Sequence, residues 1–132
     1  MFPIRVLLFV PLIFCFKRAL VYQEAQYFMD NVVALTEADY ASELFNKFEE
    51  SFIFKDCETQ LWKSDFIKAY LKNPSFTPFS SHPVSHALRK AGDWNDIEMT
   101  VNTSYKKFNF KIRRTSENYD FKFYYGSIDD CE

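Results

Sequence analysis

Three stretches in the C-terminal third alternate so strictly that they leave the chain little choice. Ile97, Met99 and Val101 interleave with Glu98, Thr100 and Asn102. Phe108, Phe110 and Ile112 interleave with Asn109, Lys111 and Arg113, and Tyr119, Phe121, Phe123 and Tyr125 with Asp120, Lys122 and Tyr124. A side-chain period of two is that of a strand with one face buried. Short polar loops at "NTS" and "TSEN" join the three, so they are antiparallel neighbours. Such a sheet must find cover for its apolar side.

The cover lies upstream. From Tyr22 to Leu35, Ala25, Phe28, Met29 and Val32 recur at helical intervals. Thr36 then offers an N-cap and Asp39 a first-turn acid for a second helix, which buries Ala41, Leu44, Phe45 and Phe48 and whose spacing extends to Phe52. Phe52 to Cys57 reads as a strand, and Leu61 and Trp62 pair back on it. Ser64 caps a short helix with Phe66, Ile67, Tyr70 and Leu71 on its apolar face, stopped by Asn73 and Pro74. Residues 74–82 are a loop. "HPVSHALRKAG" supports two readings. Pro83 and Gly92 punctuate it as a helix, whereas Val84, His86 and Leu88 alternate as in a strand. Helices first and strands last make the chain α+β.

The first residues read differently. Arg5 precedes an apolar run from Val6 to Phe16. That run is shorter than the roughly 20 residues a membrane-spanning helix needs. It fits the h-region of a secretory signal peptide over residues 1–16, with cleavage between 15 and 22; an uncleaved anchor is the alternative. A single domain then spans residues 22–128, and a tail, 129–132, carries Cys131. Removal of the leader takes Cys15 with it. Cys57 and Cys131 remain, and in a secreted chain two cysteines most simply form one bridge, worth about 4 kcal/mol in the chain-entropy picture. Two free thiols, or a bond to another chain, are the other arrangements. "NTS" at Asn102 is an N-glycosylation acceptor that also fits an extracellular protein.

Charge excludes some partners. Sixteen basic residues stand against 18 acidic ones with no block of like charge, which points neither to nucleic acid nor to an acidic membrane. Beyond residue 16 the chain keeps 12 phenylalanines and 8 tyrosines, enough to build a real core.

Two amphipathic helices, the strand "FIFKDC", the helix "KSDFIKAYLK" and a closing meander resemble the NTF2-like (SnoaL-like) superfamily. The likeness is nearest to its small secreted nematode-type domains. Phe52, Phe54, Cys57, Phe66, Ile67, Tyr70 and Leu71 carry it. The resemblance implies a cone: a strongly curved antiparallel sheet wrapped around helices, often with a pocket between, and a strand somewhere in 77–90. It also implies frequent dimerisation through the outer sheet face. Lys107, Lys111 and Arg113 on that face oppose such a homodimer unless acidic residues answer them.

Enzymes of this superfamily place carboxylates, histidines or tyrosines inside the cone, where burial shifts their pKa values. The inward positions of the strands contain no carboxylate or histidine; Tyr119 and Tyr125 are the polar-tipped ones. His82 and His86, four apart, lack a third ligand for a metal. "GDWND", with Asp93, Asp96 and Glu98, reads as a turn and not as a calcium loop. No cofactor motif occurs. The sequence therefore reads as a secreted, non-catalytic binding module for an unknown protein or a small apolar ligand. The alternative is an enzyme or carrier with a pocket near Tyr119, Tyr125 and His86.

Overall fold

The structure is a computed structural model describing residues 2–38, 41–71, 83–89, 95–103, 106–115 and 118–129, with side chains from residue 20 onward except 41, 71, 115, 118 and 119. Helix α1 runs Phe2–Glu37 and α2 Ala41–Phe45. Strand β1, Phe48–Lys55, and β2, Gln60–Trp62, precede α3, Lys63–Phe66, which widens into a π-helical turn over Ile67–Leu71. Strands β3 (Val84–Arg89), β4 (Asp96–Asn102), β5 (Lys107–Thr115) and β6 (Asn118–Ile128) complete one six-stranded sheet. Its order is β2-β1-β6-β5-β4-β3. The α+β cone is the expected architecture, with one addition. β1 lies parallel to β6, so the sheet is mixed.

The inner face is a packed set of rings. Phe48, Phe52, Phe54, Phe66, Phe108, Phe110 and Phe123 are each below 2 % exposed. Ala25, Phe28, Met29 and Val32, the expected stripe of α1, close over them. Ring centroids lie 4.6 Å apart for Phe54 and Phe66, and 4.7 Å apart for Phe48 and Phe123. Such contacts add to the area already buried.

Several local readings are corrected. Thr36 is not a cap; its hydroxyl donates back to the Val32 carbonyl at 2.8 Å within α1. The second helix ends at Phe45, and Phe48 opens β1, because its ring stacks on Phe123 in the core. Ser64 is not the cap, since α3 starts two residues earlier than expected, at Lys63, with Trp62 at its N-cap. Residues 84–89 form a strand, with Ala87 opposite Met99 and Arg89 opposite Ile97. Gln26 of α1 accepts the Val84 N–H at 2.7 Å and blunts the open edge of the sheet. Asp39, Asn73, Pro74 and Gly92 lie outside the described residues.

Candidate cleft at the mouth of the cone

One face of α1 carries Glu24, Tyr27, Asn31, Ala34 and Leu35, spaced at three, four, three and one residues. This face lines the cone mouth opposite Asp120, Phe121 and Lys122 of β6, with Glu43, Asn46 and Lys47 at its far end. The cavity there measures about 580 Å³. A second, of about 120 Å³, adjoins it toward Glu24 and Arg114 and shares Asn31, Lys47, Asp120 and Phe121.

The mouth is polar on both walls. Glu24 pairs with Arg89 at 2.9 Å and lies 4.0 Å from Arg114. The Arg114 guanidinium sits 4.3 Å over the Phe121 ring, an arrangement that offsets part of the cost of covering a cation. Farther along, Lys47, Lys122, Glu43 and Asp120 form no ion pair among the described residues. The cleft thus presents charges of both signs over an apolar floor of Ala34, Leu35 and Phe121.

A second polar feature crosses the outer sheet face. Glu49, Tyr124, Arg113 and Asp96 come from four neighbouring strands. Arg113 donates twice to Glu49, at 2.7 Å each, and lies 4.3 Å over the Tyr124 ring. The Tyr124 hydroxyl donates to Asp96 at 2.7 and 2.9 Å, and Asp96 is buried. The hydrogen bond and charge of Glu49 hold the Arg113 pKa above its usual value. Burial, and then the bond to Asp96, push the Tyr124 hydroxyl well above the ordinary tyrosine value. Tyr124→Phe leaves a covered carboxylate without this donor, so a loss of about 1–3 kcal/mol is expected in urea unfolding near pH 8. The sign with pH follows. A folded-state pKa above the unfolded one keeps the tyrosine contribution whole below about pH 10 and removes it as pH rises further. The gap between wild type and Tyr124→Phe should therefore narrow above about pH 10.

Of the expected pocket residues, Tyr125 and His86 border one groove, on the outer face of the sheet. Tyr125 is half-buried and faces outward, because β6 bulges: Lys111 pairs with Tyr125 but Ile112 pairs with Phe123. The extra residue reverses the alternation, so Gly126 and Ile128 take the inward places instead. With exposed His86, Tyr125 lines an outer groove of about 120 Å³, and the Lys111 ammonium lies 5.2 Å from its ring centre. The Tyr119 side chain, His82, Asp93, Trp94 and Cys131 lie outside the described residues. Cys57 occupies an exposed turn after β1, where its N–H donates to Asp56. Asn102 is exposed at the end of β4. The basic residues of the outer face are answered within the chain. Lys107 meets Asp129 at 3.8 Å, Lys111 meets Glu98 at 3.6 Å, and Arg113 meets Glu49.

Glu24 and Arg114 were not among the expected site residues, and Asp96, read as part of a turn, opens β4 instead. Arg114 was within reach, since the alternation of Phe108, Phe110 and Ile112 arrives at it two residues later. Glu24 reaches the mouth from the flank of α1's apolar stripe, a position that strand alternation does not address. Asp96 lies on the outer side, opposite Arg113, where it accepts from the Tyr124 hydroxyl.

A family model described as an NTF2-like domain matches residues 22–132. The chain belongs to the NTF2-like family. Among solved structures, it is similar to an NTF2-like protein with a cystatin-like fold from Novosphingobium aromaticivorans. The two are 10% identical, with a TM-score of 0.49 over 92% of this chain and 90% of that one. No curated protein matches the sequence. Enzymes and non-enzymes share the NTF2-like fold, so membership brings no activity with it.

Proposed function

We propose that this NTF2-like domain is a secreted, non-catalytic binding module that takes its ligand at the cone mouth. One observation carries the reading: the inner sheet face is occupied by close-packed phenylalanines, while the larger space lies at the mouth beside charges of both signs. A cavity of about 580 Å³ is within the usual range for ligand sites, roughly 300–1,000 Å³. The leader over residues 1–16, a Cys57–Cys131 bridge and a glycan at Asn102 belong to the same proposal. The parallel register supports the bridge. Lys55 pairs with Ser127, so the chain leaves β1 toward Cys57 and β6 toward Cys131 from the same end of the sheet. Asn102, exposed beside a hairpin end, leaves room for a sugar.

Expression of the full chain through a eukaryotic secretory route, followed by mass measurement without reductant, tests these three features together. The expected product lacks the leader, is two hydrogens lighter than its reduced form, and loses mass on enzymatic removal of N-glycans. An intact leader or a free Cys57 thiol would contradict the proposal. Crystals soaked with small apolar molecules address the carrier alternative: density among the buried rings, instead of at the mouth, would favour it.

A further inference from the structure

Asp120, Phe121 and Lys122 are consecutive, and all three line the same cavity. Side chains along a strand point alternately to opposite faces. Three successive residues can border one space only if that space runs along the edge of the strand. The pairing agrees. β1 joins β6 from Phe48 opposite Phe123 onward, and the Phe123 N–H donates to the Lys47 carbonyl at 2.9 Å. Before Lys47 the chain turns away through Asn46 into α2. β6 begins at Asn118, so its first residues have β5 on one side and no strand of the described residues on the other.

The direction of the backbone groups is fixed by their neighbours. Along a strand, backbone polar groups alternate between the two edges. The Phe123 N–H points to the β1 side, and β6 is regular between Phe121 and Phe123. The Phe121 N–H and C=O therefore face the cleft. Arg114, opposite Phe121, turns its own N–H to Asn95 and so away from β6. The opposite wall of the cleft is α1 from Glu24 to Leu35, which at 1.5 Å per residue gives a length of about 16 Å. Five residues of extended chain span the same distance, at about 3.3 Å each.

We propose that an extended peptide segment of a partner protein docks here as an added strand, pairing with the first half of β6 in line with β1. This deepens the binding-module reading and rests on it. Main-chain hydrogen bonds to Phe121 hold the segment, and its alternate side chains meet two surroundings. One set lies over Ala34, Leu35 and Phe121 and is apolar. The other meets Lys47, Lys122, Glu43 and Asp120, two charges of each sign without ion-pair partners among the described residues, and so carries both signs itself. The free edge of β3 is a poorer host, because Gln26 already accepts its Val84 N–H.

The test uses the full secreted chain, isotopically labelled, and a blocked hexapeptide alternating valine with lysine and glutamate. In the free protein the Phe121 amide should exchange with solvent much faster than that of Phe123. Saturating peptide should slow Phe121 exchange at least tenfold, and Lys47→Glu should weaken binding at least threefold. A peptide N-methylated on the nitrogens of one edge should lose both effects, while one methylated on the other edge keeps them. Binding without slowed Phe121 exchange, or indifferent to both methylation patterns, overturns strand addition yet leaves a binding module standing. No binding at millimolar peptide overturns it as well. Turnover of a small molecule in the cleft would instead remove the non-catalytic reading on which the proposal rests.

Discussion

Phe123→Ala is expected to cost about 3–5 kcal/mol, the usual range for emptying a large ring from a close-packed core. The Phe123 ring is wholly buried, with centroids of Phe48 at 4.7 Å, Phe28 at 4.9 Å and Phe110 at 5.1 Å. Those three neighbours belong to β1, α1 and β5, so one side chain joins the helix to both strands flanking β6. Relaxation into the gap would need movement of elements that are hydrogen-bonded elsewhere, which keeps the cavity open and the loss toward the upper end. Against a typical total of about 5–15 kcal/mol for a domain, such a loss brings the protein close to its unfolding limit. Urea unfolding at pH 7, monitored by circular dichroism, measures it. A change below about 1 kcal/mol would mean that the rings are loosely arranged and that the interior has room for a ligand after all.

The elements most legible in the sequence were those in which one period had no rival. β4 and β5 alternate cleanly, and every inward residue assigned to them is buried. The stripe of α1 was equally plain. The region around Phe48 failed because its spacing serves two structures. Phe45, Phe48 and Phe52 recur at three and four residues, as on a helix, while Phe48, Phe52 and Phe54 are all an even number apart, as on a strand. Local pattern cannot separate them. The decision comes from Phe123, 75 residues downstream of Phe48, whose ring offers a stacking surface and whose N–H offers a partner for Lys47. The parallel pairing of β1 with β6 was hidden for the same reason, since it depends on two segments at opposite ends of the domain.

The candidate site was less legible than the fold. A search for ionisable groups along strand faces assumes uninterrupted alternation, and the bulge at Tyr124 breaks it. Tyr125 moved outward and Gly126 inward as a result. The cleft forms where α2 arrives in place of a longer β1, so that among the described residues no strand continues along that edge of β6. No motif marks such a gap, because it depends on where one strand begins relative to another. The ion cluster of Glu24, Arg89 and Arg114 likewise unites α1, β3 and β5.

Gly126→Ala should destabilise the domain by about 2 kcal/mol net, although alanine is ordinarily the better residue in a regular element. Replacing glycine restricts the unfolded chain and by itself would stabilise by about 0.4–1 kcal/mol. The added methyl has nowhere to go. A Cβ at position 126 would stand 2.7 Å from Phe54 Cδ2 and 3.0 and 3.1 Å from Phe110 Cδ1 and Cε1. Both rings are no more than 1 % exposed, and Phe54 is backed by Phe66 at 4.6 Å and Tyr70 at 5.1 Å. Overpacking of this kind costs about 1–3 kcal/mol, occasionally more, and the immobility of the rings places this site at the upper end. The entropic gain is therefore outweighed. Because Phe54 is the nearer obstacle, Phe54→Leu should be better tolerated beside alanine at 126 than beside glycine. A double-mutant cycle by urea unfolding should return a favourable coupling of at least about 1 kcal/mol, within the usual range for residues in contact. Strict additivity of the two changes would show that the glycine is required for some reason other than the space its missing side chain leaves to the two rings.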